Sequence, residues 1–206
     1  MKTFGSADAL NPFRVELRQA LRRYLRVEAL VERGAMDWPT LESEQQTEMD
    51  DIILILQRIA GNAGAGENVS SEAAYCLGCI FNTGRAMKTA KPARAAELFQ
   101  QAAEGGHFEA LYNLGLIKLA GAEGVHKDES LAFELFHLAA ESGHAKSQFN
   151  TAVMLSNGEG VERDDVRAQA WFHEAASNGH TAAAKLAQRL ESRRNLYFLL
   201  MYVPSF

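Results

Sequence analysis

Ala102-Ala103-Glu104-Gly105-Gly106-His107, Ala139-Ala140-Glu141-Ser142-Gly143-His144 and Ala175-Ala176-Ser177-Asn178-Gly179-His180 are three copies of one phrase. Their histidines lie 37 and 36 residues apart. Working backwards from each histidine, an aromatic ring recurs eight positions earlier, at Phe99, Phe136 and Phe172. Leu98, Leu135 and Trp171 precede those rings, and Ala95, Ala132 and Ala168 stand one helical turn before them. A fixed period of roughly 20–50 residues marks a stacked repeat architecture, in which each unit buries its apolar side on its neighbour.

Each period divides into two helical stretches. The first helices are predicted at about 71–83, 108–120 and 145–157, closed by Gly84, Gly121 and Gly158. The second are predicted at about 92–104, 128–141 and 164–177. Pro92 opens one of these, while Asp128 and Asp164 can cap the others. A further helix from Thr181 to about Arg194 starts a fourth unit that lacks a second half. Small residues recur where helices must cross closely, at Gly78, Gly115 and Ala152, and again at Ala110 and Ala183. The three phenylalanines are then the large plugs of the second helices.

Upstream of the repeats, Asn11-Pro12 opens a helix that carries Arg14, Arg18, Arg22, Arg23 and Arg26, with Gly34 as its stop. Asp37-Trp38-Pro39-Thr40 reads as a turn. A second helix follows from about Leu41 to Ala60; its first half is acidic, and its second half, Ile52-Ile53-Leu54-Ile55-Leu56 with Ile59, is expected to be buried. The opposite charges favour an antiparallel hairpin. Gly61-Asn62-Ala63-Gly64-Ala65-Gly66 reads as a linker without regular structure, and residues 1–10 as disordered. The expected organisation is therefore a hairpin and Gly-rich linker over 1–66, a repeat solenoid over 67–195 and an apolar tail over 196–206.

Leu77-Gly78-x-x-Phe81, Tyr112-Asn113-Leu114-Gly115, Gly158-Glu159-Gly160-Val161 and Trp171-Phe172-x-x-Ala175-Ala176-x-x-Gly179-His180 resemble Sel1-like repeats, relatives of the tetratricopeptide repeat, over roughly residues 73–190. The resemblance implies an all-α solenoid of antiparallel helix pairs whose concave face binds proteins or peptides. The implied function is that of a non-enzymatic adaptor or scaffold. Matching the family, Tyr112, Asn113, Lys118, Phe149 and Asn150 are candidates for the binding face. The sequence departs from the family in two places. The usual aromatic after the small position is Phe81 in the first copy but Lys118 and Leu155 in the next two, and Ala86-Met87-Lys88-Thr89 replaces the Gly-Val of the other loops.

The tail from Leu196 to Phe206 is rich in large apolar side chains, so Tyr197 and Phe198 are further candidates for contact. It would fold back on the chain or fill a second copy's groove, giving a homo-oligomer. Arg189, Arg193 and Arg194 precede it, which also leaves a membrane-surface anchor as a lesser reading.

Chemistry finds little support. Cys76 and Cys79 lack a second pair to complete a zinc site and read as apolar helix-face residues. His107, His144 and His180 occupy equivalent positions in successive units, too far apart for one ion; capping or packing suits them better. No phosphate-binding glycine loop or nucleophile elbow occurs in the sequence. Some cysteine-rich relatives are linked to β-lactam hydrolysis, but they carry a disulfide in every repeat, so that alternative is not carried over to this chain. An immunity-type binder that neutralises a toxin is a further variant of the binding reading. No cofactor or metal is expected. A net charge of -5 with scattered cations argues against nucleic acid. The start lacks the apolar stretch of a signal peptide and no run is long enough to span a bilayer, so a cytoplasmic protein is expected.

Overall fold

The computed structural model describes residues 11–33, 41, 43–84 and 90–188. Residues 1–10, Gly34, the 37–40 turn, the 86–89 loop and everything after residue 188, including the apolar tail, lie outside the described residues. Among the described residues the chain is helical, with a lone β-bridge between Ala122 and Val125 and no strand. The α-helices are α1 (Pro12–Glu32), α2 (Ser43–Ala60), α3 (Glu67–Thr83), α4 (Pro92–Glu104), α5 (Phe108–Ala120), α6 (Glu129–Glu141), α7 (Ala145–Asn157) and α8 (Asp165–Ser177). Residues 181–188 are helical as well. The molecule is all-α, built from the antiparallel helix pairs of an α-solenoid behind an N-terminal hairpin. It divides into two compact units, Met1–Ala110 with Ala122–His126, and Leu111–Gly121 with Lys127–Phe206.

In the first unit, Asn11 caps α1 by accepting the Phe13 N–H at 3.0 Å, with Pro12 at the first helical position. The α1–α2 hairpin is cross-linked by charge. Arg23 Nε donates to Glu48 Oε1 at 3.2 Å and a second Arg23 nitrogen lies 3.6 Å from Asp51, while Arg58 pairs with Glu16. These partly exposed pairs set the register of the hairpin more than its stability. Its stability comes from Leu17, Ala20 and Val27 of α1 and Met49, Ile52, Leu56 and Ile59 of α2, all at most 1% exposed.

Two details differ from the reading of the sequence. Leu54 is 66% exposed, because a five-residue apolar run wraps more than half of a helix and only Ile52, Leu56 and Ile59 share the inner face. The Gly61–Gly66 stretch is also ordered. Ala63–Ala65 forms a 3-10 turn, Asn62 accepts the Gly64 N–H, and Asn11 Nδ2 donates to the carbonyl of buried Ala65 at 2.8 Å. The side chain that caps α1 thus also fastens this turn.

The repeats share one packing device. A Cβ built on Gly78 would lie 2.6 Å from Phe99 Cε1, and one on Gly115 would lie 2.7 Å from Phe136 Cε1. Each glycine is a notch in a first helix, and the fully buried phenylalanine of the paired second helix fills it. In the third repeat Ala152 and Phe172 join one core with Leu155, Ala168, Ala175, Ala183 and Ala187. Each pair is also closed by one main-chain bond at the same register. Lys91, Asp128 and Asp164 N–H donate to the carbonyls of Phe81, Lys118 and Leu155, at 2.7, 2.8 and 2.9 Å. The side chain there varies because the carbonyl carries the contact. Asp128 and Asp164 cap α6 and α8 through their carboxylates, whereas Lys91 gives α4 no side-chain cap.

The Gly-His dipeptides make the corners. Gly106, Gly143 and Gly179 adopt φ of 83°, 86° and 89°, which an L side chain rarely tolerates. The histidine N–H then reaches back to Ala102, Ala139 and Ala175, and the glycine N–H to Ala103, Ala140 and Ala176, closing a Schellman motif on each second helix. The same histidine starts the next helix. His144 Nδ1 accepts the Ser147 N–H at 3.3 Å and His180 Nδ1 that of Ala183 at 3.2 Å, so the ring proton of each neutral imidazole sits on Nε2. His107 Nδ1 instead lies 3.3 Å from Glu109 Oε2 without a hydrogen bond, an approach that becomes an ion pair only when the ring is protonated. Burial nevertheless lowers the His107 pKa, against the opposing pull of Glu109 and Glu72.

Two expectations follow. Gly160 has φ 67° and its Cβ would fall 2.2 Å from the Glu129 carbonyl oxygen, whereas Gly179 has φ 89° with open space around it. Gly179→Ala should therefore cost only the left-handed strain of about 1–2 kcal/mol. Gly160→Ala should cost clearly more in urea unfolding, and equal costs would refute the contact. A depressed histidine pKa means that the unfolded chain holds its proton more tightly. The stability is thus complete above the unfolded value of about 6.5 and falls as the pH drops through it. His107→Gln should flatten the unfolding free energy between neutral pH and about pH 5.5, the range just below that unfolded value.

Candidate functional site

The first helix of each repeat carries a ring at the fifth position of the spans 71–83, 108–120 and 145–157, and an amide or thiol next to it. These are Tyr75-Cys76, Tyr112-Asn113 and Phe149-Asn150, at a spacing of 37. The rings are not free. Tyr75 stacks on His107 with centroids 4.1 Å apart and leans on Phe99 at 6.0 Å. Tyr112 meets the edge of His144 at 5.0 Å and Phe136 at 5.9 Å. Phe149 stacks on His180 at 4.4 Å and meets Phe172 at 5.7 Å. Every repeat therefore holds a triad of first-helix ring, plug phenylalanine and corner histidine. The sequence displays all nine members, but their convergence appears only once the chain folds back at the corner.

Five of the candidate residues have a definite place in the second unit. Tyr112 and Phe149 are half-buried within their triads; Tyr112 has its phenol pKa raised by that burial, and Lys146 Nζ sits 5.9 Å over its ring. Lys118 is half-buried at the position whose carbonyl closes the repeat. Asn113 and Asn150 are half-buried, and among the described residues neither side chain makes a hydrogen bond. That separates them from Gln148, which is 3% exposed and donates to the Ala140 carbonyl at 3.1 Å while accepting from Asn178 at 2.9 Å. Gln148 is a structural latch that no spacing or motif in the chain signals. Tyr197 and Phe198 lie outside the described residues.

In the first unit the matching register is Cys76. It lines an apolar cleft of about 170 Å³ with Leu21, Tyr24, Leu56, Tyr75 and Ile80, and Cys79 and Glu28 stand at the same cleft. Neither cysteine is in a disulfide. Burial, reinforced by Cys79 and Glu72, pushes the Cys76 pKa up to about 12, so it carries no thiolate at neutral pH and serves as a small apolar wall. Among the described residues no three His, Cys, Asp or Glu side chains gather as a metal site requires, and no helix is long and apolar enough to cross a membrane.

Within each repeat the aromatic triad holds the first-helix ring that stands next to a small polar residue. Known proteins show the same construction. A Sel1 repeat protein from Oxalobacter formigenes is 31% identical, with 65% of this chain and 97% of that one covered and a TM-score of 0.56. A protective antigen of uropathogenic Escherichia coli with an SLR fold is 24% identical over 89% of this chain, with a TM-score of 0.68, and this chain spans only 34% of its length. Helicobacter pylori cysteine rich protein B shares the fold at 15% identity and a TM-score of 0.51, over 70% of this chain and 97% of that one. Among curated proteins no sequence match is found. The Sel1 repeat itself matches three times in succession, over residues 71–107, 108–144 and 145–180, and each match ends on a corner histidine. With more than half of its residues inside those three units, the chain belongs to the Sel1 repeat family.

Proposed function

We propose that this protein is a non-enzymatic adaptor that binds a protein or peptide along the first-helix faces of its repeats. Sel1 repeats generally serve protein–protein interaction. Asn113 and Asn150 carry the reading for this chain. Both are half-buried, both lie one repeat apart in register, and neither amide is used internally among the described residues. A side-chain amide offers a donor and an acceptor together, which is what an extended peptide backbone presents. Packing fixes the neighbouring rings, Tyr112 and Phe149, so the amides project from a rigid base and lose little freedom on binding. Lys118 adds a cation on α5, which suits an acidic residue or a C-terminal carboxylate in the bound segment.

The test is capture of partners from the native cell extract, followed by affinity measurement with each purified partner. The pair Asn113→Ala and Asn150→Ala should leave the thermal midpoint unchanged and weaken binding about tenfold or more, given about 0.5–1.5 kcal/mol for each hydrogen bond lost. Unchanged affinity for every partner would refute the row as the binding face.

A further inference from the structure

The outward face of α1 carries a charged feature that neither the packing nor the proposed binding row uses. Arg18, Arg22 and Arg26 are all exposed and four residues apart, so they form one ridge about 12 Å long at 1.5 Å per residue. The positions three and four residues to either side of each are Arg14, Val15, Gln19, Leu21, Arg23, Leu25, Ala29 and Leu30, with the ridge arginines themselves; none is acidic. Two other charges of α1 are matched, Arg23 with Glu48 and Asp51, and Glu16 with Arg58. Among the described residues no carboxylate pairs with Arg18, Arg22 or Arg26. Like charges at this spacing repel along a helix, so the ridge gives the free protein nothing. It stands out on a chain whose net charge is -5.

The chemistry of the ridge defines what fits it. All five cations of α1 are arginine, whose planar fork grips carboxylates two bonds at a time and which is enriched at interfaces. Leu25 is 58% and Val15 45% exposed on the same side of the helix. Broad polyanions fit poorly, because Glu32 on α1 and Asp50 and Asp51 on α2 are also exposed in the same hairpin. The ridge also offers no aromatic ring for a nucleic-acid base to stack on. We propose that the α1 ridge docks an amphipathic acidic helix of a partner protein, its carboxylates recurring every fourth residue to meet Arg18, Arg22 and Arg26 and its apolar side chains covering Leu25 and Val15. The ridge is built from other residues than Asn113 and Asn150 and stands without them.

The experiment uses the full chain and a fluorescent synthetic helix with Glu at every fourth position and Leu beside it. A control peptide has the same composition in scrambled order. The patterned peptide should bind saturably and more weakly as salt rises. The Arg18→Glu, Arg22→Glu, Arg26→Glu triple variant, with an unchanged circular dichroism melt, should bind it at least about tenfold more weakly. Replacement of the same three residues by Lys should lose less. If the Glu variant does not fold, Arg22→Gln alone should still lower affinity by about threefold, since one carboxylate contact is removed. Equal binding of patterned and scrambled peptides would overturn the proposal. So would unchanged affinity in the folded variants, or equally tight binding of phosphatidylserine vesicles or oligothymidylate.

Discussion

The architecture depends on one steric fit, a phenylalanine ring seated where a facing helix has no side chain. At Gly78 and Gly115 the absent methyl leaves room that Phe99 and Phe136 occupy completely. A helix-interior glycine ordinarily costs stability relative to alanine, by about 1 kcal/mol. Here that loss is recovered because two backbones approach closely around a fully desolvated ring, and a buried phenylalanine is among the largest contributors to a core. The third repeat carries Ala152 at the same register, and its own ring, Phe172, shares a buried cluster with Ala152, Leu155 and four further alanines.

The corners convert paired helices into a series. One dipeptide does three things: its glycine turns left-handed, its histidine N–H closes the helix behind, and in the second and third copies the imidazole caps the helix ahead. The imidazole then stacks on the first-helix ring in the first and third copies and meets it edge-on in the second, and that ring leans on the plug. His144 and His180 are therefore engaged in backbone capping and ring contact, and His107 stacks on Tyr75. A histidine suits this corner because it combines a flat apolar face with an in-plane acceptor, and no aliphatic or purely aromatic side chain offers both.

Much of this was legible in the residues. The spans 92–104, 108–120 and 145–157 coincide with α4, α5 and α7, because proline, glycine and periodic alanines mark their ends. The role of Phe99, Phe136 and Phe172 could be read from their spacing alone. What escaped depends on contacts between segments distant in the chain. Leu54 looked buried because its run is apolar, yet only the helical phase decides which side faces the core. Gly61–Gly66 looked like a plain linker because Asn11, fifty-four residues from Ala65, supplies the bond that orders it. The variation at Phe81, Lys118 and Leu155 looked like a departure from the family, whereas the carbonyl at that register makes the same bond in all three repeats. Within the candidate site the sequence supplied Asn113 and Asn150 but gave no sign that Tyr112 and Phe149 are held by their corner histidines.

The central fit is tested most directly by a double-mutant cycle on the second repeat, with Gly115→Ala and Phe136→Leu measured singly and together by equilibrium urea unfolding. The account requires Gly115→Ala to destabilise the protein, against its helix propensity, and the double variant to lose less than the two singles combined by more than about 1 kcal/mol, since the shorter leucine frees the space the new methyl needs. Additive losses, or a Gly115→Ala protein as stable as the parent, would contradict it.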